Sequence, residues 1–318
     1  MTRLADALER ANRTPDPAPQ PPAPATAASL AHAPSPAPPH LRRMQPATIA
    51  VPRPAPAPTT AHLPGAPLLA LPEEGGQYSE WHTDPQLAGK LFGTEGFSGA
   101  ALEQYRKLAA TLHHAQSDRG IRVIMTASAL PGEGKSLTAV NLALTLSESY
   151  HRRVLLVDAD LRRPTVQRMF ALPPMGGLNE GLKLREDRPL AVAQISERLF
   201  VLPAGRPEPD PMSGLTSDRM RRLVAQAAAT FDWVIIDTPP VGLLPDASLL
   251  ADIVDGVLLV VRAGKAPFAL VKRTVEAITH DRILGVVMNA VDYAHDRNAG
   301  GYYEYYGYGY YNGMAGQK

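Results

Sequence analysis

The sequence contains no cysteine. That excludes a disulfide framework and thiolate-held metals, and it fits a reducing cytoplasm. Neither sign of charge is in excess. Thirty-two basic residues against 31 acidic ones leave a net charge of +1, which gives no electrostatic footprint for nucleic acid. Long hydrophobic runs are also lacking. Nothing approaches the roughly 18 apolar residues that a membrane-crossing helix needs, and Val257–Val261 is far too short. Met1–Arg10 mixes charged and apolar residues and does not read as a secretory leader. On this reading the protein is cytoplasmic, and any membrane role runs through a partner.

Proline is abundant but unevenly spread. Of 32 prolines, 18 lie between Pro15 and Pro72. That stretch is rich in Ala, poor in charge and without apolar periodicity, so residues 1–94 are expected to be disordered. Met1–Ala11 is a possible short amphipathic helix, either frayed or a docking peptide for a partner. Residues 95–292 carry enough apolar content for one core. A helix is expected over Ser98–Gln116, with Leu102, Tyr105, Leu108 and Leu112 near one face and Glu103 and Arg106 paired at i, i+3.

Beyond it, strand and helix patterns alternate. Strands are expected at Val123–Thr126, Val154–Val157, Leu199–Leu202, Trp233–Ile236, Gly256–Val261 and Ile283–Met288. Helices are expected at Ser136–Glu148, Ser217–Ala229, Ala247–Ile253 and Phe268–Thr279. Short apolar strands separated by helices predict an α/β fold with a mainly parallel sheet covered on both faces. Ligands of such sheets bind at the carboxyl ends of the strands.

The stretch Ser128-Ala129-Leu130-Pro131-Gly132-Glu133-Gly134-Lys135-Ser136 lies between the first of these strands and its helix. Strand, glycine loop and helix together form a cradle for a nucleotide triphosphate, the P-loop NTPase arrangement. Gly132 and Gly134 let the backbone curl and aim successive N–H groups at phosphates. The helix adds the positive end of its dipole. Lys135 supplies a full charge near the β- and γ-phosphates, and Ser136 offers a hydroxyl to Mg²⁺. The usual first glycine is replaced by Ala129, while Pro131 pre-sets one backbone angle. Expected nucleotide contacts are therefore Pro131, Gly132, Glu133, Gly134, Lys135, Ser136 and Leu137, with Asn289 at the end of the last strand a guess for adenine.

Carboxylates follow the strands. Asp158 ends the second expected strand, Asp160 follows two residues later, and Arg162 two beyond that. Asp237, after Val234-Ile235-Ile236, has the pattern of a Walker B residue. A strand-end Asp often does no more than cap the next helix. Three of them beside a glycine loop point instead to a metal–nucleotide site of Ser136, Asp158, Asp160 and Asp237. Arg162 stabilises phosphate charge or pairs with an Asp. Asp158 is the candidate base, with Asp160 positioning metal or acceptor.

The end of the chain carries Tyr302, Tyr303, Tyr305, Tyr306, Tyr308, Tyr310 and Tyr311, seven of the 11 tyrosines, interleaved with glycine. Residues 293–318 are expected to be a flexible tail. They read either as a low-complexity segment or as a set of phosphate acceptors, each adding about −1.5 to −2 charge.

Together these motifs resemble the bacterial tyrosine kinases that control capsular and exopolysaccharide synthesis. Pro131–Ser136 serves as Walker A, Asp158–Pro164 as the second Walker motif peculiar to that family, Asp237–Pro240 as Walker B, and Tyr302–Tyr311 as the tyrosine cluster. The resemblance implies ATP and Mg²⁺, autophosphorylation of one subunit's tail by its neighbour within a ring, and a cognate phosphatase. It also implies a separate transmembrane activator of the polysaccharide co-polymerase type. In the family's oligomer motif E-x-x-R-x-x-R, Glu103 and Arg106 match, whereas the last position is Ala109. Partition and division-site ATPases share the loop but carry a lysine where Leu130 stands, and they lack the tyrosine cluster. A hydrolase with an interaction tail and a non-catalytic ATP-binding regulator of an export complex remain the alternatives.

Overall fold

Val, Ile and Leu dominate the runs that follow the proline-rich region, and their two-residue period assigns each strand to two cores at once. The computed structural model describes residues 67–72, 84–184, 188–241, 246–278 and 280–291. In chain order these form β1 Leu69–Ala70, α1 Gly99–Arg119, β2 Val123–Ser128, α2 Lys135–Glu148, β3 Val154–Asp158, α3 Val166–Met169 and α4 Leu178–Lys183. There follow β4 Leu190–Ala191, β5 Ala193–Gln194, β6 Leu199–Leu202, α5 Met212–Leu215, α6 Asp218–Thr230, β7 Trp233–Asp237, α7 Asp246–Ala251, β8 Gly256–Arg262, α8 Phe268–Ile278 and β9 Ile283–Asn289. Each expected strand and helix is present, with ends that coincide or shift by at most three residues. The short α3, α4 and α5 and the two-residue strands carry too few residues for a periodic signal.

The main sheet has the order β5-β6-β3-β7-β2-β8-β9. All its pairings are parallel except β5 with β6. Every residue of β2, β3 and β7 is buried, as expected where helices cover both faces. Alternation divides them. Val123, Met125, Leu155, Val157, Val234 and Ile236 join one core with Met220 and Leu223 of α6. Ile124, Val154, Leu156, Trp233 and Ile235 join the other with Leu112 of α1 and Leu142 of α2. A one-residue slip in any central strand would exchange the two sets.

Local signals set the ends of α1. Ser98, in extended backbone, accepts a hydrogen bond from Ala101 N at the start, and Gly120, at φ 71°, stops it in the left-handed region. A β-branched residue at 120 would oppose that stop.

The expected boundary at Glu95 falls inside packed structure. Leu68 and Leu69 are buried. β1 pairs in parallel with β4, and Leu68 N donates to Gln226 Oε1 at 2.6 Å. Leu91 is fully buried. Asn141 of α2 ties down its neighbours, donating to Lys90 O at 2.9 Å and accepting from Phe92 N at 2.8 Å. Two short apolar segments thus join the folded unit because they find partners far along the chain, information that local composition does not hold. Residues 1–66 and 73–83 lie outside the described residues. Among those described, no helix is long and apolar enough to cross a membrane.

Candidate functional site

β2 sits near the middle of the sheet, and the glycine loop leaves its carboxyl end. Gly132 and Gly134 have φ of 75° and 91°, the region that disfavours a side chain. A Cβ on Gly134 would lie 1.8 Å from Asn289 Nδ2, so a side chain here would displace the Asn289 amide as well as strain the backbone. Ala129, in the place of the usual first glycine, is fully buried and is not among the residues with positive φ. The backbone there makes no demand that only glycine meets.

Sheet register brings the acids together. Thr126 of β2 faces Asp237 of β7, which in turn faces Asp158 of β3. Lys135, the first residue of α2, donates through Nζ to Asp237 Oδ1 at 2.6 Å and lies 3.3 Å from Ser136 Oγ. Thr126 Oγ1 donates to the same carboxylate oxygen at 3.2 Å. Asp237 is fully buried, and its Oδ2 has no hydrogen-bond partner. Breaking a buried pair of this kind by removing one partner costs about 3–5 kcal/mol.

Asp158 is fully buried as well. Its Oδ2 accepts from Thr165 N and Val166 N, each at 3.0 Å, and its Oδ1 accepts from Asp160 N at 3.2 Å. It therefore caps the start of α3 and also faces Asp237; the capping and site readings of this residue coexist. Burial, reinforced by the neighbouring Asp237, pushes its carboxyl up to about 7, against the pull of the backbone N–H groups and Lys135. Asp160 Oδ1 accepts from Arg163 N at 3.1 Å, closing the turn after β3. The Arg162 guanidinium donates to the Pro209 carbonyl, tying this turn to the loop that precedes α5.

Do these groups suit Mg²⁺? Among the described residues no cluster of three or more His, Cys, Asp or Glu side chains is arranged to hold a metal by itself. Magnesium that arrives with a triphosphate needs little from protein, since it keeps several waters. A buried carboxylate oxygen without a partner on Asp237, with the Ser136 hydroxyl beside Lys135 Nζ, meets that need. The donor set fits the ion.

Three expected nucleotide contacts do something else with their side chains. Glu133 is buried; its carboxylate accepts from Leu130 N at 2.7 Å and Arg262 N at 3.3 Å, so it shapes the loop from within. Asn289 donates from Nδ2 to Glu133 O at 2.8 Å and accepts from Ala290 N at 2.9 Å, which engages its amide on the loop backbone. Leu137 packs its side chain against the α1–α2 core.

Three residues near the loop escaped the sequence reading. They are Thr126, Arg262, which donates from Nη1 to Gly132 O at 3.4 Å, and Lys265, which donates from Nζ to Pro131 O at 3.1 Å. The strand-end rule that singled out the acids points equally to Arg262, the last residue of β8; applied to every polar strand end, it would have found it.

Elsewhere, Glu103 and Arg106 form a 2.7 Å ion pair on the outer face of α1, 56% and 45% exposed. Ala109, the third position of that motif, is fully buried. An open cleft lined by Asp84, Pro85, Pro164, Gln167, Arg168, Ala171 and Leu172 includes none of the groups around Lys135. The tyrosines at 302–311 lie outside the described residues.

Comparison with known proteins agrees with this geometry. The family model described as ParA: NUBPL iron-transfer P-loop NTPase matches residues 121–317. The chain is 39% identical over 190 residues to tyrosine-protein kinase YwqD of Bacillus subtilis, an alignment covering 59% of this chain and 80% of that protein. It is 37% identical over 180 residues to the succinoglycan biosynthesis transport protein ExoP of Rhizobium meliloti, covering 54% of this chain and 22% of the other. The kinase domain of the Escherichia coli tyrosine kinase ETK superposes with a TM-score of 0.57 at 30% identity, covering 60% of this chain and 76% of that one. A P-loop NTPase model over most of the folded region and a kinase relative spanned for most of its length place the sequence: this chain belongs to the bacterial tyrosine kinase family, within the ParA-like P-loop NTPases.

Proposed function

We propose that the chain transfers the γ-phosphoryl group of Mg-ATP to tyrosines 302–311 of its own tail, one copy acting on another. The observation that carries this reading is the meeting of Lys135, Asp237 and Asp158 over adjacent strand ends. Asn289, the last residue of β9, touches the loop at the same edge. Tyr302, the first of the tyrosines, follows Asn289 by 13 positions in the sequence.

In this mechanism the loop N–H groups receive the phosphates. Lys135 Nζ leaves Asp237 Oδ1 for the β- and γ-phosphate oxygens. Ser136 Oγ and Asp237 would hold Mg²⁺, directly or through water, with Asp160 assisting. Bound there, Mg²⁺ neutralises charge on the transferring group. A free tyrosine hydroxyl titrates near about 10, so a base helps at neutral pH. Asp158, raised to about 7, is suited to take that proton. The phenol oxygen then forms the new P–O bond as the bond to the departing ADP breaks. Arg162, on the turn that carries Asp158 and Asp160, is proposed to stabilise phosphate charge.

The relatives extend the proposal to polysaccharide synthesis and export, since one of them is named for succinoglycan biosynthesis transport. A separate transmembrane activator would bring the cytoplasmic chain to the inner membrane, and a phosphatase would reset it. Copies would associate through the Glu103–Arg106 face of α1.

Purified protein incubated with Mg-ATP should carry phosphate on tyrosines 302–311 by mass spectrometry, and Lys135→Met should carry none while remaining folded. Phosphate released to water with none on the tail would refute the kinase reading, as would an active Lys135→Met.

A further inference from the structure

Three consecutive carbonyls of the phosphate loop each receive a hydrogen bond from the same side. Pro131 O accepts from Lys265 Nζ at 3.1 Å, Gly132 O from Arg262 Nη1 at 3.4 Å, and Glu133 O from Asn289 Nδ2 at 2.8 Å. The donors come from the end of β8, the turn after it, and the end of β9. Arg262 and Asn289 are register partners on the two strands, and Ala263 N donates to Asn289 O at 2.9 Å, so the donors form one braced unit. That unit also grips Glu133, whose buried carboxylate accepts from Arg262 N and, within the loop, from Leu130 N.

In a trans peptide the C=O of one residue and the N–H of the next point in opposite directions. Holding the carbonyls of Pro131, Gly132 and Glu133 toward β8 and β9 therefore turns the N–H groups of Gly132, Glu133 and Gly134 to the other side. Successive N–H groups facing one way make an anion-binding concavity. Neither cation needs to touch the anion to have this effect.

We propose that Arg262 and Lys265, with Asn289, are positioning residues. They capture the outward carbonyls of the phosphate loop and so hold its N–H groups ready for the phosphates, in a loop that has Ala129 in place of its first glycine. This rests on the nucleotide-site reading above but not on which acceptor takes the phosphoryl group. Preorganised donors lower the ordering cost of binding, so the effect falls on nucleotide affinity and on KM more than on kcat.

The test is Mg-ADP affinity of the full chain by titration calorimetry, at two salt concentrations. The Arg262→Ala/Lys265→Ala double variant should bind about tenfold or more weakly, the scale of losing hydrogen bonds from charged donors. The Arg262→Gln/Lys265→Gln variant keeps amide donors without charge and should recover most of the affinity at both salt concentrations. Circular dichroism and unfolding without nucleotide keep a folding defect separate. The proposal is overturned if the double Ala variant, folded, binds like wild type. It is also overturned if the double Gln variant binds as weakly as the double Ala variant, since the charges would then act on the phosphates directly. A wild-type chain that binds no Mg-ADP removes the nucleotide site and the clamp together. One that binds it but phosphorylates no tyrosine removes only the kinase reading, and the clamp is still judged by the variants.

Discussion

The two flanks of the phosphate loop are built on opposite electrostatic terms. On the β3–β7 flank, Asp158 and Asp237 are fully buried, and one cation, Lys135, lies against Asp237. On the β8–β9 flank, exposed cations meet neutral carbonyls. Charge in the first case is desolvated and close to other charge, so it is costly and responsive. In the second it remains solvated and acts through direction alone. The lesson is that one loop draws reactivity from one side and shape from the other.

If that division is right, the acidic flank should dominate stability. Asp237→Ala leaves Lys135 without its 2.6 Å partner and should destabilise the nucleotide-free protein by about 3–5 kcal/mol, the usual cost of orphaning a buried charge. Urea unfolding measures this. A loss below about 1 kcal/mol would mean that Lys135 readily reaches water, and the contrast between the flanks would fail.

Next in size is a pH effect. The Asp158 carboxyl is raised in the fold to about 7, well above the unfolded value of about 3.9. Between these values the folded state binds more protons than the unfolded one, so stability falls as pH rises from about 4 to about 7 and is level beyond. The contribution is fully present below the unfolded value and lost through the folded one. Stability curves of wild type and Asp158→Asn over that range should differ in slope, by a few kcal/mol in total at most. Parallel curves would show that Asp158 is ionised in the fold and would remove its fitness as a base.

The smallest expected change sharpens the contrast from the other side. Lys265→Ala should alter unfolding stability without nucleotide by less than about 0.5 kcal/mol, as for other exposed substitutions. A larger loss would mean that the brace holds the fold as well as the loop.

Much of the site was legible before any coordinates. A glycine loop between a strand and a helix, with Asp at other strand ends, pointed to Lys135, Asp158 and Asp237, because those features depend on local spacing. The local rule says nothing of what the side chains do. Those of Glu133 and Asn289, two expected nucleotide contacts, hold loop backbone, which leaves the Glu133 N–H for the phosphates. Local rules state which residues stand at a strand end but not which other loop lies across from it. Leu68, Leu69 and Leu91 fall in the region expected to be disordered; their burial goes with partners far along the chain, Gln226 and Leu190 for the first two and Asn141, bonded to Lys90 and Phe92, for the third.

The amino-acid sequence alone determined the alternation of strand and helix, the glycines of the phosphate loop and the acids after the strands, since each follows from side-chain period or from backbone freedom within a few residues. Only the tertiary structure decided that β7 lies between β2 and β3, and that β8 and β9 reach across to the loop. Those pairings are chosen by packing two apolar faces at once. Through them Thr126, Asp237 and Asp158 came into register, and carbonyls at 131–133 met donors more than a hundred residues away.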